Sequence, residues 1–516
     1  MNSHLTRWLL VAISLIFFIQ GYFGSLQKSL TWDEPVFIAS GYSYLTRNDF
    51  RLNSEAPPLL QMLHALPLLS MRLSTAPKNH PTWIKKEHIA SAQHFVQTNA
   101  QHVSAITQRA RLSTLFIGLL LILAIFYWGN KLYGPVPALC ASALATFSPN
   151  LLAHAKLATT DLGCSAFIFF SVFAFWHAVH HNTRRTWIFC GIITGFTLLT
   201  KYTALLLGPI YILLGIICLW RKTIPFLFLF KGALIIILSC IVIIGMGYNF
   251  SFNVFLYLEG LQRIYANAIP EYQFYLLGNA STTPWWYYYF IAFALKTPIP
   301  TLGLIALAVA TLIWKKENTE AAIFLLIPVL FIFAIACFDQ ANLGYRRILP
   351  ALPFLLLFCA HALSGKLPRW RAITVIILLA WASINAATIY PHHLSYFNTL
   401  SGGPKRGPYL LDDSNIDWGQ DLPGLATWER EHPDARPLRL LYFGTMSPEI
   451  YEVKAQHLHG FPEDILEPQK GYYAISAHNL THFRKLKKRF NIDIDWLTKY
   501  KPIDRVGYSI YIYKFP

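Results

Sequence analysis

Two adjacent acids, Asp33 and Glu34, stand a few residues beyond the first apolar run of the chain, and a third, Glu55, follows just before Pro57-Pro58. Carboxylates that close to a bilayer are costly unless they face water, a cation or a substrate. Isolated charges also sit at the ends of later apolar runs: Arg109 and Arg111, Lys156 and Asp161, Lys201, Lys296 in LKTPIP, then Asp339, Arg346 and Arg347. Any one of these alone reads as a snorkelling side chain or an ion pair inside a bundle. Their recurrence on one side suggests a shared cavity holding an anion at headgroup level beside a carboxylate. A lipid phosphate suits that description. Lysine and arginine would neutralise charge developing on a departing phosphate, and a carboxylate would take a proton from an attacking hydroxyl.

The elements that must position these groups are membrane helices. The chain has 516 residues, 54% hydrophobic and only 13% charged, too little charged surface for an ordinary soluble protein of this size. The formal charge of +17 is scattered in short groups between apolar runs, which fits loops at anionic headgroups and argues against nucleic acid as a partner. All seven cysteines lie within apolar runs and read as core residues, with no disulfide framework in the polar segments. The first run, Trp8 to Phe23 after Arg7, has features of a signal peptide but reads better as an anchor, since many spans follow.

At about 20 apolar residues per span, helices are predicted near 8–25, 111–130, 136–153, 162–180, 186–200, 202–220, 224–247, 285–314, 321–338, 347–364 and 371–390. These make roughly eleven, the segment 285–314 being long and broken. With the N-terminus inside, the inner loops carry Lys131, Arg184-Arg185, Arg221-Lys222, Lys315-Lys316 and Lys366 with Arg369 and Arg371, as the positive-inside rule asks. The loops 26–108 and 248–284 and everything after Tyr390 then lie outside.

His88 to Arg111 reads as an amphipathic helix on the membrane surface, and Trp285 to Tyr289 as an interfacial aromatic belt that could also stack on a sugar. Two domains are expected: a membrane domain 1–390, with the acids in its first outer loop 26–108, and a small α/β domain 391–516. Strands are predicted at LRLLYFG, GYYAIS and GYSIYIYKF. The acidic segment holding Asp412, Asp413, Asp417 and Asp421 lacks the glycine placement and terminal glutamate of an EF-hand loop and reads as turns.

The motifs TWDE, EAPPL, SPNLLAHAKLATTD, LLTKYTAL, LKTPIP and GYRRILPALPFLLL, in this order and on one side, resemble the GT-C glycosyltransferases. The nearest group is the phospholipid-carrier-dependent type of family 39, which includes the protein mannosyltransferases and aminoarabinose transferases. The tail motifs DSNIDWGQDL and VGYSIYIYKF resemble a bacterial branch of the same family.

The resemblance implies a mainly α, polytopic bundle of GT-C type, and an inverting transferase that moves a sugar from a polyprenyl-phosphate donor to an extracytoplasmic acceptor. It implies a bacterial inner membrane, with the N-terminus cytoplasmic and the tail periplasmic. Asp33 matches the catalytic acid, Glu34 its partner, Glu55 the second acid of the loop and Asp161 the acid heading the fourth span. Lys201, Lys296 and Arg346 fall where the family presents cations to the lipid phosphate, with Arg111 and Arg347 as further candidates. Ala56 departs from the pattern, because aminoarabinose transferases carry a phosphate-binding lysine there. Some relatives bind a divalent cation near these acids, so a metal ion stays open as a cofactor, although no compact His/Cys ligand set is visible. The competing class is a transporter or flippase of an anionic lipid; a third is a membrane scaffold whose outer domain binds protein. Against the transporter stand the one-sided charges and the lack of two related halves with paired broken helices.

Overall fold

The computed structural model describes residues 3–249, 254–266, 273–315, 319–364, 368–458, 468–490, 494 and 496–516; Lys316 and Lys366, used in the charge alternation, lie outside them. Each of the eleven apolar segments is helical. Seven described helices are long and apolar enough to cross a membrane, nine if each of two bent pairs counts as one span. The other two of the eleven, Arg184–Leu198 and Leu349–Leu363, have 15 residues each. At about 1.5 Å per residue they fall short of a hydrocarbon core of about 30 Å.

Proline sets both bends. Between Pro135–Thr146 and Pro149–Ala155 the axis turns by 62°. Ser148, held extended before Pro149, caps the second helix by accepting from the Leu151 N–H. Between Tyr288–Lys296 and Ile299–Lys315 the turn is 112°. Thr297 is extended before Pro298, which has no N–H to continue the ladder.

The long segment after the first helix folds as a layer over the helix ends. Its helices Glu34–Arg47, Pro58–Ala65 and His88–Thr98 bury Ile38, Tyr42, Ala65, Phe95 and Val96 together with Leu30 and Ile106. Glu34–Arg47 and Pro58–Ala65 meet so closely that a Cβ on Gly41 would lie 1.9 Å from the Gln61 carbonyl oxygen. The predicted surface helix is thereby corrected: Phe95, Val96, Val103 and Ile106 face protein, and from Val103 the chain is one 31-residue helix to Tyr133. The aromatic belt is half right. Trp286 and Tyr287 are exposed, whereas Tyr288 and Tyr289 are buried, with Tyr288 Oη accepting from Asn415 and Tyr289 Oη donating to Asp339.

A hairpin of β1 (Phe274–Leu276) and β2 (Asn279–Ser281) turns through Leu277 and Gly278, both at positive φ. Beyond Tyr390 a mixed sheet forms from β3 (Leu438–Leu441), β4 (Gln456–His457), β5 (Gly471–Ser476), β6 (Asp504–Val506) and β7 (Ile510–Phe515), in the order β4-β3-β5-β7-β6. The three predicted strands are β3, β5 and β7. Helices Leu422–Glu431 and Ala477–Phe490 accompany the sheet. Residues 391–421 behave differently from the expected domain. They run as short 3-10 turns pressed onto the helix ends, bridging β1 through Leu276 and Leu411.

Candidate functional site

Asp33 stands at the N-terminal boundary of helix Glu34–Arg47, yet its side chain caps no helical N–H. Its Oδ2 instead accepts from Arg346 Nη1 at 2.7 Å. Arg346 sits on the turn Tyr345–Arg347, which Gly344 enters at φ +95°, where a Cβ would lie 2.7 Å from Ser414 Oγ. The guanidinium is held by Nε to the Leu343 carbonyl at 3.3 Å and lies over the Trp418 ring at 4.5 Å. The Nη2 edge has no protein partner among the described residues. Side-chain exposure is 28% for Asp33 and 14% for Arg346, so the pair is sheltered but reachable. Burial pushes the Asp33 carboxyl above its ordinary value; Arg346 opposes this, and the charges of Asp161 and Asp413 add to it.

A second pair lies beside the first. Asp161, in the first turn of helix Thr160–His181 where the helix dipole favours an acid, accepts from Lys201 Nζ at 2.6 Å. His154 Nδ1 is 4.0 Å from the other Asp161 oxygen, and its ring meets Trp418 edge-on. The expected convergence therefore occurs for Asp33, Asp161, Lys201 and Arg346.

The other five candidates are placed elsewhere. Glu34, expected as a catalytic partner, is fully buried and saturated: Arg111 Nε and Nη2 at 2.8 and 2.7 Å, the Thr31 N–H and hydroxyl, and the Ala158 N–H all donate to it. Burial disfavours its charge, but these donors outweigh burial and hold the carboxyl below its ordinary value. Arg111, expected at the phosphate, spends its remaining N–H groups on the carbonyls of Ser25, Lys28 and Ser29. Neither group is paired with Asp33, Asp161, Lys201 or Arg346.

Lys296 is buried with its ammonium donating to the carbonyls of Leu394, Tyr396 and Asn415, so it anchors the tail. Arg347 turns toward Asp339, 4.0 Å away. Glu55 is exposed on the loop segment whose Ser54 carbonyl accepts from Tyr202 Oη, one residue beyond Lys201. That places it on the rim. Ala56 is buried and brings no cation.

Sequence reasoning missed the contribution of the tail. Trp418 floors Arg346. Asp413, at φ +59°, precedes Ser414, whose Oγ shares the Leu343 carbonyl with Arg346. DSNIDWGQDL was the available signal, a polar segment with an embedded tryptophan. Its reading as turns is right locally and silent about where the turns dock.

Among the described residues no three His, Cys, Asp or Glu side chains group as metal ligands. Asp33 and Asp161 each already hold a cationic side chain. As paired here, this donor set does not fit a divalent ion.

Residues 103–244 match the family model described as dolichyl-phosphate-mannose-protein mannosyltransferase. A search among curated proteins finds no match. ArnT from Cupriavidus metallidurans in the apo state is 13% identical at a TM-score of 0.54, over 99% of this chain and 98% of that one. The same protein bound to undecaprenyl phosphate gives 12% identity and a TM-score of 0.53 over the same shares. The Archaeoglobus fulgidus oligosaccharyltransferase tethered to an acceptor peptide with the NVT sequon gives 12% and 0.50, over 97% of this chain and 72% of that one. The chain thus has the fold of the GT-C glycosyltransferases, and the resemblance read from its sequence is borne out by a family match within the membrane region and a structural match along its length.

Proposed function

We propose that this multi-pass membrane protein is an inverting glycosyltransferase that takes a sugar from a polyprenyl-phosphate donor and passes it to an extracytoplasmic acceptor, a lipid, glycan or protein hydroxyl. The observation that carries the reading is the sheltered, reachable Asp33–Arg346 pair with Asp161–Lys201 beside it. The structural neighbours add support: one ArnT structure holds undecaprenyl phosphate, and the oligosaccharyltransferase carries an acceptor peptide.

In this reading Asp33 accepts the proton of the acceptor hydroxyl as its oxygen attacks the anomeric carbon. The bond from that carbon to the phosphate oxygen breaks on the opposite face, and the electron pair leaves with the phosphate. One displacement inverts the configuration. Arg346 receives the phosphate on its free Nη2 edge while Nη1 keeps Asp33 in place, and Lys201, oriented by Asp161, supplies the second positive charge. Glu55 shapes the rim on the acceptor side. We place the protein in a bacterial inner membrane with its N-terminus inside and its tail outside, following the loop charges. A transporter would gain from the 112° break in the helix pair at Lys296, but the cation at that break is fixed by three carbonyls instead of lining a passage.

Mass spectrometry of surface glycans and glycolipids, with and without the gene, tests the reading. A missing sugar modification supports it; an unchanged profile, with purified protein that cleaves no polyprenyl-phosphate sugar, sinks it. Two kinetic results are also expected. A base must be deprotonated, so kcat/KM falls as pH drops through the Asp33 pKa, and that limb lies above the ordinary aspartate value of 3.8 because the carboxyl is raised. Arg346→Gln should lower kcat by about 10²- to 10³-fold, the effect of removing one preorganised donor from developing charge. It should also move the acid limb further up, since the guanidinium no longer holds Asp33 charged. A limb that stays put in that variant would show that the two groups do not work as a pair.

A further inference from the structure

The segment leading into Asp33 is held by the tail. The Ser29 N–H donates to the Gln420 carbonyl and the Trp32 N–H to the Trp418 carbonyl, both at 3.0 Å. Ser29 Oγ donates to the Gly419 carbonyl at 2.8 Å, and Thr445 Oγ1 donates to the Trp32 carbonyl at 3.1 Å. Both the N–H and the C=O of the residue before Asp33 are therefore taken by the tail. Asp33 gains no hold from capping its own helix.

The turn that carries Trp418 is closely fixed in its own right. Gly419 has φ +84°, and a Cβ there would lie 2.6 Å from the Phe443 carbonyl oxygen, so only glycine fits. The Trp418 N–H donates to Gln420 Oε1 at 2.7 Å, while Gln420 Nε2 donates to the Ile416 carbonyl at 2.9 Å. The Trp418 side chain is 2% exposed, packed with Ala153, Leu157 and Leu394, and the His154 ring meets it edge-on.

The same residue meets the cation of the pair, since the Arg346 guanidinium lies over the indole at 4.5 Å. The two hydrogen bonds that hold the guanidinium run from Nη1 to Asp33 at 2.7 Å and from Nε to the Leu343 carbonyl at a long 3.3 Å. Such bonds are made in the guanidinium plane and resist its tilting only weakly. An aromatic face beneath the plane resists it directly, and a desolvated cation–π contact adds attraction of its own. The tilt decides where the Nη2 edge points. Asp33 and Arg346 are 313 positions apart in the chain, yet Trp418 braces both. Packing accounts for a buried indole; it does not account for one residue that supports the acid through its carbonyl and the cation through its ring.

We infer that Trp418 is a positioning residue for the transfer proposed above, a reading on which this inference rests. Its carbonyl fixes the approach to the base, and its ring fixes the plane of the phosphate-binding guanidinium. Together they set the span within which the anomeric carbon must sit. Preorganised charge stabilises a transition state only while it stays aimed, so loss of the ring costs turnover through Arg346. The tail is in this sense part of the catalytic unit.

Steady-state kinetics on the full chain in nanodiscs, with a polyprenyl-phosphate sugar and an acceptor, tests the inference. Trp418→Leu keeps the carbonyl and apolar volume but removes the ring face. Its kcat should fall by about five- to thirtyfold, the rate equivalent of a desolvated cation–π contact. The acid limb of kcat/KM should move up in pH, as in Arg346→Gln but by less, because a loosened guanidinium holds Asp33 charged less well. Trp418→Phe should recover part of both losses. Since the ring acts through Arg346, the double variant Trp418→Leu with Arg346→Gln should be no slower than Arg346→Gln alone. Should Trp418→Leu not fold, the same cycle with Trp418→Phe decides: its smaller ring gives a smaller loss, which the Arg346→Gln background should again absorb. Wild-type kcat in the folded variant, an acid limb that stays put, or losses that multiply in the double variant overturn this inference and leave the transferase standing. A wild type that transfers no sugar overturns both.

Discussion

Asp33→Asn should slow sugar transfer by about 10²- to 10⁴-fold, the usual contribution of a positioned general base, while leaving donor binding nearly intact. Asparagine preserves the shape of the side chain and can still accept the Arg346 Nη1 hydrogen bond through its amide oxygen, so the guanidinium stays over Trp418. What is lost is proton affinity. Rapid-mix kinetics with saturating donor, paired with a donor-binding isotherm, separates the two quantities. A variant that transfers at the wild-type rate would remove Asp33 from the chemistry. One that fails to bind donor would move it to the phosphate instead.

Arg111→Gln should destabilise the protein by about 3–5 kcal/mol, the cost of breaking a buried pair and leaving one charge behind. Glu34 has no solvent exposure and would lose two of its charge-assisted hydrogen bonds. The carbonyls of Ser25, Lys28 and Ser29 would lose their donors as well. Those carbonyls belong to the turn that carries the chain from the first helix to Asp33, so activity should fall along with stability. Thermal unfolding in detergent measures the change. A double variant, Glu34→Leu with Arg111→Met, should recover part of the loss, because it removes both charges and keeps apolar volume. If Arg111→Gln melted like the wild type and merely raised the KM for donor, the residue would be a phosphate ligand after all.

These two neighbours on the chain, Asp33 and Glu34, show where sequence reading reaches its limit. Successive residues entering a helix point about 100° apart, so one acid meets Arg346 and the next backs into the core. An acid pair announces a costly feature without saying which member is functional. Lys296 and Arg346 pose the same problem. Both are isolated cations at a helix end, but the carbonyls that occupy Lys296 come from residues 394–415, about a hundred positions later. Nothing local reports that docking.

The spans were legible because a bilayer demands long apolar runs, and the break at LKTPIP because proline cannot continue a helix. Crossing length was less so: Arg184–Leu198 and Leu349–Leu363 read as spans but are too short to reach across alone. In the tail, alternating apolar residues gave β3, β5 and β7. The segment before them, with Asp413 and Trp418, has no periodicity to betray that it forms one wall of the site.

The most direct test follows the products. Purified protein in nanodiscs, given a polyprenyl-phosphate sugar and an acceptor, should release free polyprenyl phosphate and form a glycosidic bond of inverted anomeric configuration by NMR, at a rate that depends on Asp33. Retained configuration, or equal product from Asp33→Asn, would contradict a single displacement driven by that carboxylate.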